Sequence, residues 1–577
     1  VNDESLYADP IDTNTGALIV DNEALSISGN KELSFDLDYN SKREDKAKET
    51  KEYSGYNNRL SDLGKAPIGK GWSHNYESKL SKNNDNTITI YWNSYDYTYF
   101  YKSNSEEDTY YSNINSLNGY NLQYNNEREF YTLTLNNGNK YYYNIDGLLV
   151  RMMDSNGKYI RILRYETYMT IFEESSGRKI FVAYDKNGRI IRTKDDTGRI
   201  TSFEYDDNNN LIKINYPNGK PTSYVYDING HLLNAIDGDG ITYMTNIYDE
   251  QGRVISQKDG EGGISTLSYD DNFGEKRTTV LTDRNGNTKK VTHNIYGQLI
   301  YTEDQLGNKV EYTYDEYGNK ITEKDALGNI TNYKYDENGN LIEIVTAANN
   351  KTIMVCDEKG NILSLTDPEG NITKYTYNSK NLLIQVVSPN GKITKYTYDN
   401  NGMLLTTKVD ENIISSNVYE KGRIVTSYDV YGNATKITYN RYGWLSSVTD
   451  REGNTIYYEY DQVGNKISET KKNGGKITYT YNSRGLVTSK TDERGNKTTY
   501  KYNGNGKLTE TIDSNGNIIS NKYDGEDNVV ETKNNSTGFI VNNYYDKVGR
   551  IIKTTDSIGN ETEYTYDGAG RIISTTI

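Results

Sequence analysis

The chain has 577 residues, of which 34% are hydrophobic, and 57 of the hydrophobic residues are tyrosines. Because a tyrosine buries a large ring while keeping a polar hydroxyl, this composition does not indicate disorder. A net charge of −15 argues against a nucleic-acid-binding protein, and no apolar run is long enough for a membrane-spanning helix. A single cysteine, Cys356, excludes an internal disulfide framework, and three histidines leave little material for a metal site.

The first 80 residues lack the repeat that fills the rest of the chain, and we predict that residues 1–80 form a separate N-terminal domain. Two short motifs stand out in it. The first contains Asp9, Pro10 and Gly16, and the second is GKGWSHNY, with Gly71, Trp72 and His74. The charged run between them, residues 42–53, is predicted to be a solvated loop.

Residues 81–165 carry irregular tyrosine-rich strands, and residues 166–577 carry a repeat of about 21 residues. A tyrosine followed by Asp or Asn marks each unit, and His293 and Cys356 stand in the tyrosine position of two units. With two looser units near Tyr143 and Tyr165, we count about 21 units. The representative anchors are Tyr184, Tyr205, Tyr226, Tyr314, Tyr335, Tyr398, Tyr460 and Tyr566.

Each unit contains two turn signals, Tyr-Asp-x-x-Gly and Asp-x-x-Gly-Asn, as at residues 314–318 and 325–329. We expect the Asp side chain to accept hydrogen bonds from backbone N–H groups two or three residues later, and the Gly to adopt a positive φ. This chemistry suits a type I turn with a bulge that closes a β-hairpin.

The segments between turns alternate strictly, with Val310, Tyr312 and Tyr314 on one face and Glu311 and Thr313 on the other. Such alternation predicts an all-β ribbon of about 42 strands. Laid flat, the ribbon would run roughly 200 Å, so it must coil into a hollow shell of roughly 30 Å diameter or stack as a solid solenoid. Whether the tyrosine face would line the interior or the exterior is open at this point.

These motifs resemble a known family. The N-terminal motifs at Asp9-Pro10, Gly16 and Gly71-Trp72-x-His74 resemble the N-terminal domain of RHS proteins, and the repeats resemble their YD repeats. The repeats are also similar to those of toxin-complex C subunits and teneurins. The resemblance covers essentially the whole chain.

The resemblance implies a β-ribbon that spirals into a hollow shell around a C-terminal toxin, in a bacterial protein that is secreted or displayed on the cell surface. It also implies that the N-terminal domain, residues 1–80, caps one end of the shell. Family members with a toxin usually carry a self-cleaving core segment after the repeats. This chain ends at Ile577 within a repeat and lacks that segment, so we expect the natural protein to continue and assign no self-cleavage here.

No group of residues in the sequence predicts catalysis, a metal or a cofactor. His74 has no acid or nucleophile at a fixed spacing, and a packing role is favoured. Asp513 begins a stretch like a calcium loop, but position 12 of that loop is Asp524 rather than glutamate. The adjacent Asp195 and Asp196 lie along one turn, which is a poor arrangement for glycoside hydrolysis.

The leading hypothesis is therefore a structural shell whose partner is its own C-terminal toxin or core segment. The alternative is an adhesion module that binds cell-wall or host glycans through exposed tyrosines, although only three tryptophans are present. Neither hypothesis invokes nucleic acid or a membrane span. The cargo, the oligomeric state and any glycan specificity are not specified by the sequence.

Overall fold

The computed structural model describes residues 6–7, 11–27, 31–43, 67–92, 97–103, 108–112, 120–135, 137–270 and 276–577. Strand occupies 57% of the chain, which confirms the all-β prediction. Among these residues, no helix is long and apolar enough to cross a membrane. Of the predicted motif residues, Asp9 and Pro10 lie outside the described residues, as does most of the charged run at 42–53.

Five short strands precede the main sheet. They are β1 (Leu6–Tyr7), β2 (Ile11–Asp12), β3 (Ile19–Ile27), β4 (Leu33–Asn40) and β5 (Trp72–His74). Strands β1 and β2 pair with each other, and β3, β4 and β5 form a three-stranded antiparallel sheet. We call residues 11–78 of this region, as far as they are described, the N-terminal segment.

The strands that lead into the repeats are β6 (Lys79–Lys82), β7 (Ile88–Tyr91), β8 (Tyr97–Lys102), β9 (Thr109–Ser112), β10 (Asn121–Asn125), β11 (Phe130–Thr134), β12 (Lys140–Asn144), β13 (Leu149–Met153), β14 (Tyr159–Arg164), β15 (Tyr168–Glu173) and β16 (Arg178–Tyr184). The continuous sheet thus begins at Lys79, and the predicted domain boundary at residue 80 stays a prediction.

The repeats continue with β17 (Ile190–Asp195), β18 (Ile200–Tyr205), β19 (Leu211–Asn215), β20 (Pro221–Tyr226), β21 (Leu232–Ile236), β22 (Thr242–Tyr248), β23 (Val254–Asp259), β24 (Ile264–Tyr269), β25 (Lys276–Thr282), β26 (Thr288–Asn294), β27 (Leu299–Glu303), β28 (Lys309–Tyr314), β29 (Lys320–Lys324), β30 (Ile330–Tyr335), β31 (Leu341–Val345), β32 (Lys351–Cys356), β33 (Ile362–Thr366), β34 (Ile372–Tyr377) and β35 (Leu383–Val387).

The last strands are β36 (Ile393–Tyr398), β37 (Leu404–Val409), β38 (Asn412–Glu420), β39 (Arg423–Tyr428), β40 (Ala434–Tyr439), β41 (Leu445–Thr449), β42 (Thr455–Tyr460), β43 (Lys466–Thr470), β44 (Lys476–Tyr481), β45 (Val487–Thr491), β46 (Lys497–Tyr502), β47 (Leu508–Ile512), β48 (Ile518–Tyr523), β49 (Val529–Asn534), β50 (Ile540–Tyr545), β51 (Ile551–Asp556), β52 (Glu561–Tyr566) and β53 (Ile572–Thr576). From β6 to β53, each strand pairs antiparallel with the next in the chain, giving one sheet of 48 strands.

The turn after Tyr314 shows how each hairpin closes. Asp315 Oδ1 accepts hydrogen bonds from the backbone N–H groups of Tyr317 and Asn319, at 3.0 and 2.8 Å, and Asn319 Nδ2 donates to Asp315 Oδ2. The prediction placed these donors two or three residues after the Asp, whereas they lie two and four residues after it. Gly318 has a φ of 88°, as expected for a position that resists a side chain.

The predicted bulge is present in this hairpin, where the register shifts between Thr313 and Tyr314. It is absent from the ladder of the second hairpin, between β29 and β30. In most units, one strand connection is therefore bent and the next is regular, which curves the ribbon in one direction.

Contacts between turns show that the ribbon winds back onto itself. The turns of the second kind, Asp-x-x-Gly-Asn, contact Tyr-Asp turns that lie about 240–265 residues later in the chain, and they do so throughout residues 154–328. One coil of the ribbon therefore takes about twelve units. At roughly 4.8 Å per strand, 24 strands give a circumference near 115 Å and a diameter near 37 Å. The pairs in contact are Lys158 with Met403, Arg199 with Gln462, Lys220 with Tyr481, Asp239 with Ser483, Glu261 with Gly504, and Asn285 with Gly525.

We call this line of turn contacts the seam. Its closest approach is between Gly260 and Gly504, where a Cβ on either residue would overlap the other's carbonyl group. Its strongest ionic group is Arg284, which pairs with Asp259 at 2.6 Å, Asp527 at 2.9 Å and Glu526 at 3.1 Å. The seam therefore holds two coils together through turns, since no strand ladder of the described residues crosses it. With about 24 strands to a coil, we call β6–β28 the first coil and β29–β53 the second coil.

Candidate functional site: the tyrosine face

In most units, the anchor tyrosine binds the backbone of the unit before it. The Tyr335 hydroxyl donates to the carbonyl of Lys320, beside the bulge that interrupts the preceding hairpin. Fourteen tyrosines make this bond at 2.6–3.0 Å, to a carbonyl fifteen or sixteen residues earlier. They are Tyr205, Tyr226, Tyr248, Tyr269, Tyr314, Tyr335, Tyr398, Tyr419, Tyr439, Tyr481, Tyr502, Tyr523, Tyr545 and Tyr566.

The two remaining predicted anchors have other contacts. The Tyr184 hydroxyl lies 3.9 Å from Met169 Sδ, and the Tyr460 ring packs at 5.6 Å on Trp444. At the two positions without a tyrosine, His293 is fully buried with both ring nitrogens lacking a hydrogen-bond partner, and burial lowers its pKa. Burial raises the pKa of the Cys356 thiol, helped by Asp336 and Asp357.

We call the side of the sheet that carries these anchors the tyrosine face. In the first coil, the N-terminal segment covers it. Trp72 is fully buried, packs at 5.2 Å on Tyr224, and donates from Nε1 to the Tyr226 hydroxyl at 2.9 Å. Phe35 packs against Phe203, and Tyr39 lies 5.3 Å from Trp72. The tyrosine face is thus the inward face in this coil, which the sequence left open.

Backbone hydrogen bonds fasten the N-terminal segment along the edge of the first coil. They are Ile190 N to Pro67 O, Lys70 N to Asn209 O, and Val254 N to Gly16 O. Side chains add bonds from Thr201 to Ala24 O and from Thr279 to Thr13 O. The N-terminal segment therefore follows the inside of the ribbon from β17 to β25.

The predicted motif residues of this segment are packing residues. Gly16 and Gly71 have positive φ angles of 72° and 74°. His74 stacks on Phe35 at 5.0 Å, and its Nδ1 accepts a hydrogen bond from the backbone N–H of Tyr76. Burial and the nearby Arg164 guanidinium lower the pKa of His74 to about 3, so the ring is neutral at physiological pH.

The residues weighed for other chemistry are also engaged within their own turns. Asp513 accepts three hydrogen bonds from Asn515 and Asn517. Asp195 binds Arg199 while Asp196 binds Arg178, so the two carboxylates point to different partners. In the part of the chain that the structure describes, no group of three or more His, Cys, Asp or Glu side chains is placed to hold a metal ion.

The tyrosine face becomes open in the second coil. Buried hydrophobic side chains are numerous up to Tyr312, and beyond it Met354 is the one buried hydrophobic residue among those described. Tyr333, Tyr375 and Tyr396, which occupy the same position as Tyr224 in their units, are half-buried. The chain therefore presents one covered and one uncovered stretch of the same surface.

Sequence models of three families match the chain. The RHS Repeat model matches residues 184–221, 205–242, 481–518 and 545–577, and the Teneurin YD-shell model matches residues 329–496. The chain is an RHS/YD-repeat protein. A third model, described as a domain of unknown function (DUF6531), matches residues 8–100 of this RHS/YD-repeat chain, where the N-terminal segment lies.

Solved structures similar to this RHS/YD-repeat protein include TcdB2-TccC3, with 13% identity and a TM-score of 0.44, covering 99% of this chain and 37% of that chain. TcdB2-TccC3-Cdc42 and a Photorhabdus luminescens Tc holotoxin pore each have 14% identity and a TM-score of 0.41, covering 94% of this chain and 30% of theirs. The protein thus spans about a third of these chains. A comparison with curated proteins found no match.

The anchor bonds yield a test with an internal comparison. Changing Tyr226→Phe removes the partner of both the Leu211 carbonyl and the buried Trp72 indole, and should lower the free energy of unfolding by about 2–4 kcal/mol. Changing Tyr502→Phe removes a single bond, to the Val487 carbonyl, and should cost about 1 kcal/mol. Urea unfolding monitored by circular dichroism measures the loss of unfolding free energy in both variants. Equal losses would contradict the assignment of two hydrogen bonds to the Tyr226 hydroxyl and one to the Tyr502 hydroxyl.

The buried carboxyl of Glu77 gives a pH test. Its Oε2 accepts a hydrogen bond from the His74 backbone N–H, and burial raises the pKa of Glu77 to about 7. A raised carboxyl pKa contributes stability that is complete below pH 4.5 and is lost as the pH rises through 7.

Between pH 5.5 and pH 8, the native protein should therefore lose about 2 kcal/mol of unfolding free energy relative to Glu77→Gln. The variant keeps His74, so the opposite effect of that residue cancels in the comparison. The exposed Glu166→Gln variant serves as the control and should follow the native protein. A constant difference between the native protein and Glu77→Gln across this range would show that Glu77 ionises normally.

Proposed function

We propose that the chain is the structural shell of a secreted bacterial toxin or delivery protein, and that the open stretch of its tyrosine face encloses a polypeptide cargo. The observation that carries this proposal is the contrast between the two coils. The N-terminal segment fills the first coil against the tyrosine face, whereas the second coil presents the same face half-exposed. Membership in the RHS/YD-repeat family supports a container role.

The chemistry of the two faces supports the same proposal. The opposite face carries cross-strand ion pairs such as Lys324 with Glu311 at 3.1 Å and Lys522 with Glu531 at 3.0 Å. Exposed pairs of this kind add little to stability but keep a surface soluble. The charged face is thus suited to solvent and the tyrosine face to a polypeptide inside.

A second candidate, a glycan-binding adhesion module, has one observation in its favour. The rings of Tyr296 and Tyr317 are 81% and 48% exposed on neighbouring Tyr-Asp turns, and both line a cleft of about 1170 Å³ with Asn294, Gln298 and Glu311. Exposed aromatic rings beside amides and carboxylates can stack on sugars. Saturable binding to a purified glycan that is lost in Tyr296→Ser would favour this candidate over the container.

Protease protection tests the container role. An unfolded reporter polypeptide without cysteines is fused after Ile577, and the complex is treated with proteinase K. The container proposal predicts that the fused reporter survives many times longer than the same reporter mixed with the protein in trans, because the shell excludes the protease. Equal digestion of the fused and free reporters would refute the proposal.

A further inference from the structure

The open tyrosine face is divided into chemically different sectors. On β30–β35, three successive cross-strand pairs on this face are apolar, and we call these strands the apolar sector. The pairs are Tyr333 with Ile344, Met354 with Leu365, and Tyr375 with Val386. Met354 is 8% exposed and the other five side chains are half-buried, so an apolar surface remains in contact with solvent.

The corresponding pairs further along the ribbon are polar. On β46–β51, which we call the polar sector, they are Tyr500 with Thr511, Asn521 with Thr532, and Asn543 with Thr554. Strands β42–β45, which precede the polar sector, add charge on this face with Glu469 and Lys490. The difference lies in side chains alone, since the backbone pairing is the same in both sectors.

The apolar sector continues the surface that the N-terminal segment covers. Tyr312 on β28 is 9% exposed and belongs to the buried core, and Val310 and Tyr314 pack against that core. Lys320 on β29 joins the two regions, because its Nζ lies 5.4 Å from the Tyr312 ring and 4.8 Å from the Tyr333 ring. The covered face therefore passes into the apolar sector within two strands.

We propose that the apolar sector is the docking surface for an apolar segment of a polypeptide held inside the shell, and that the polar sector does not bind it. This inference rests on the proposed container function. The first coil shows what this face accepts, since Trp72, Phe35 and Tyr39 of a polypeptide segment cover it and Trp72 bonds an anchor hydroxyl. Apolar side chains gain free energy from leaving water only where the wall is apolar too.

Cys356 makes the proposal testable, because it is the one cysteine of the chain and lies on β32 within the apolar sector. A benzophenone is attached to its thiol at pH 9, because the pKa of this thiol lies above its ordinary value and a higher pH increases the reactive thiolate fraction. The reporter fused after Ile577 in the protease experiment is given a tryptophan-rich stretch. The yield of photo-cross-links between the benzophenone and this stretch is then measured. The matched control carries the benzophenone at Thr511→Cys, in the polar sector, with Cys356→Ser.

We expect about five-fold more cross-linking from Cys356 than from position 511, and a fall to the level of position 511 in Leu365→Thr/Val386→Thr. Threonine keeps strand propensity, so these changes alter the polarity of the wall and not its fold. Equal cross-linking from both sites on a protected reporter would overturn the sector assignment and leave the container function intact. A reporter that is digested and does not cross-link at either site would overturn both.

Discussion

The hydrogen bond from each anchor tyrosine to the unit before it is the interaction on which the rest of the structure depends. A strand ladder joins each strand only to its neighbours, so the curvature of a ribbon of 48 strands depends on the bulges and on bonds of this kind that reach across them. The tyrosine hydroxyl reaches fifteen residues back across the bulge, and it does so on one face only. Repetition of that bond in fourteen units bends the ribbon the same way along its length, and a constant bend produces a coil.

Once the ribbon coils, its two edges must meet, and the seam shows how. An Asp-x-x-Gly-Asn turn faces a Tyr-Asp turn of the next coil, and small residues stand where backbones touch, as at Gly260 and Gly504. Around Arg284, three carboxylates converge from both coils. Because these contacts are polar and local, the coils are held by many weak links rather than by a continuous ladder, while the ribbon itself stays intact.

The coil also determines where function can reside. The tyrosine face points toward the N-terminal segment in the first coil and continues uncovered into the second, which is why we propose an interior partner for the second coil. His74, which sequence reasoning placed among possible functional residues, packs on Phe35 within that segment. Its neutral ring contributes to packing, in keeping with the structural role favoured from the sequence.

Much of this architecture could be predicted from the sequence, because the repeat is local. Turn residues and strict alternation predicted the strands, and 42 strands run from β12 to β53, the number expected from the count of units. Of the backbone N–H groups predicted to donate to each Asp, the second was misplaced by one residue, since it lies four residues after the Asp in a loop that closes over five residues.

The seam and the inward face could not be predicted, because the seam depends on contacts at least 240 residues apart and the inward face on contacts such as that between Trp72 and Tyr226, 154 residues apart. One sequence signal existed for the seam. Turns with glycine in their second position, at Gly238, Gly260, Gly504, Gly525 and Gly568, all lie where the coils touch. These glycines can be recognised as contact positions between coils only when the number of residues in one coil is known.

The central claim is that the ribbon returns to itself after about twelve units, and a distance across the seam tests it most directly. Spin labels at Asp239→Cys and Ser483→Cys, in Cys356→Ser, mark two turns that are 244 residues apart in sequence and joined by a 2.7 Å hydrogen bond. Double electron–electron resonance should give a narrow distribution below about 25 Å, since each label adds only a few ångströms to a direct contact. A ribbon that does not coil would place the same sites roughly 100 Å apart, and the absence of a short distance would contradict the account.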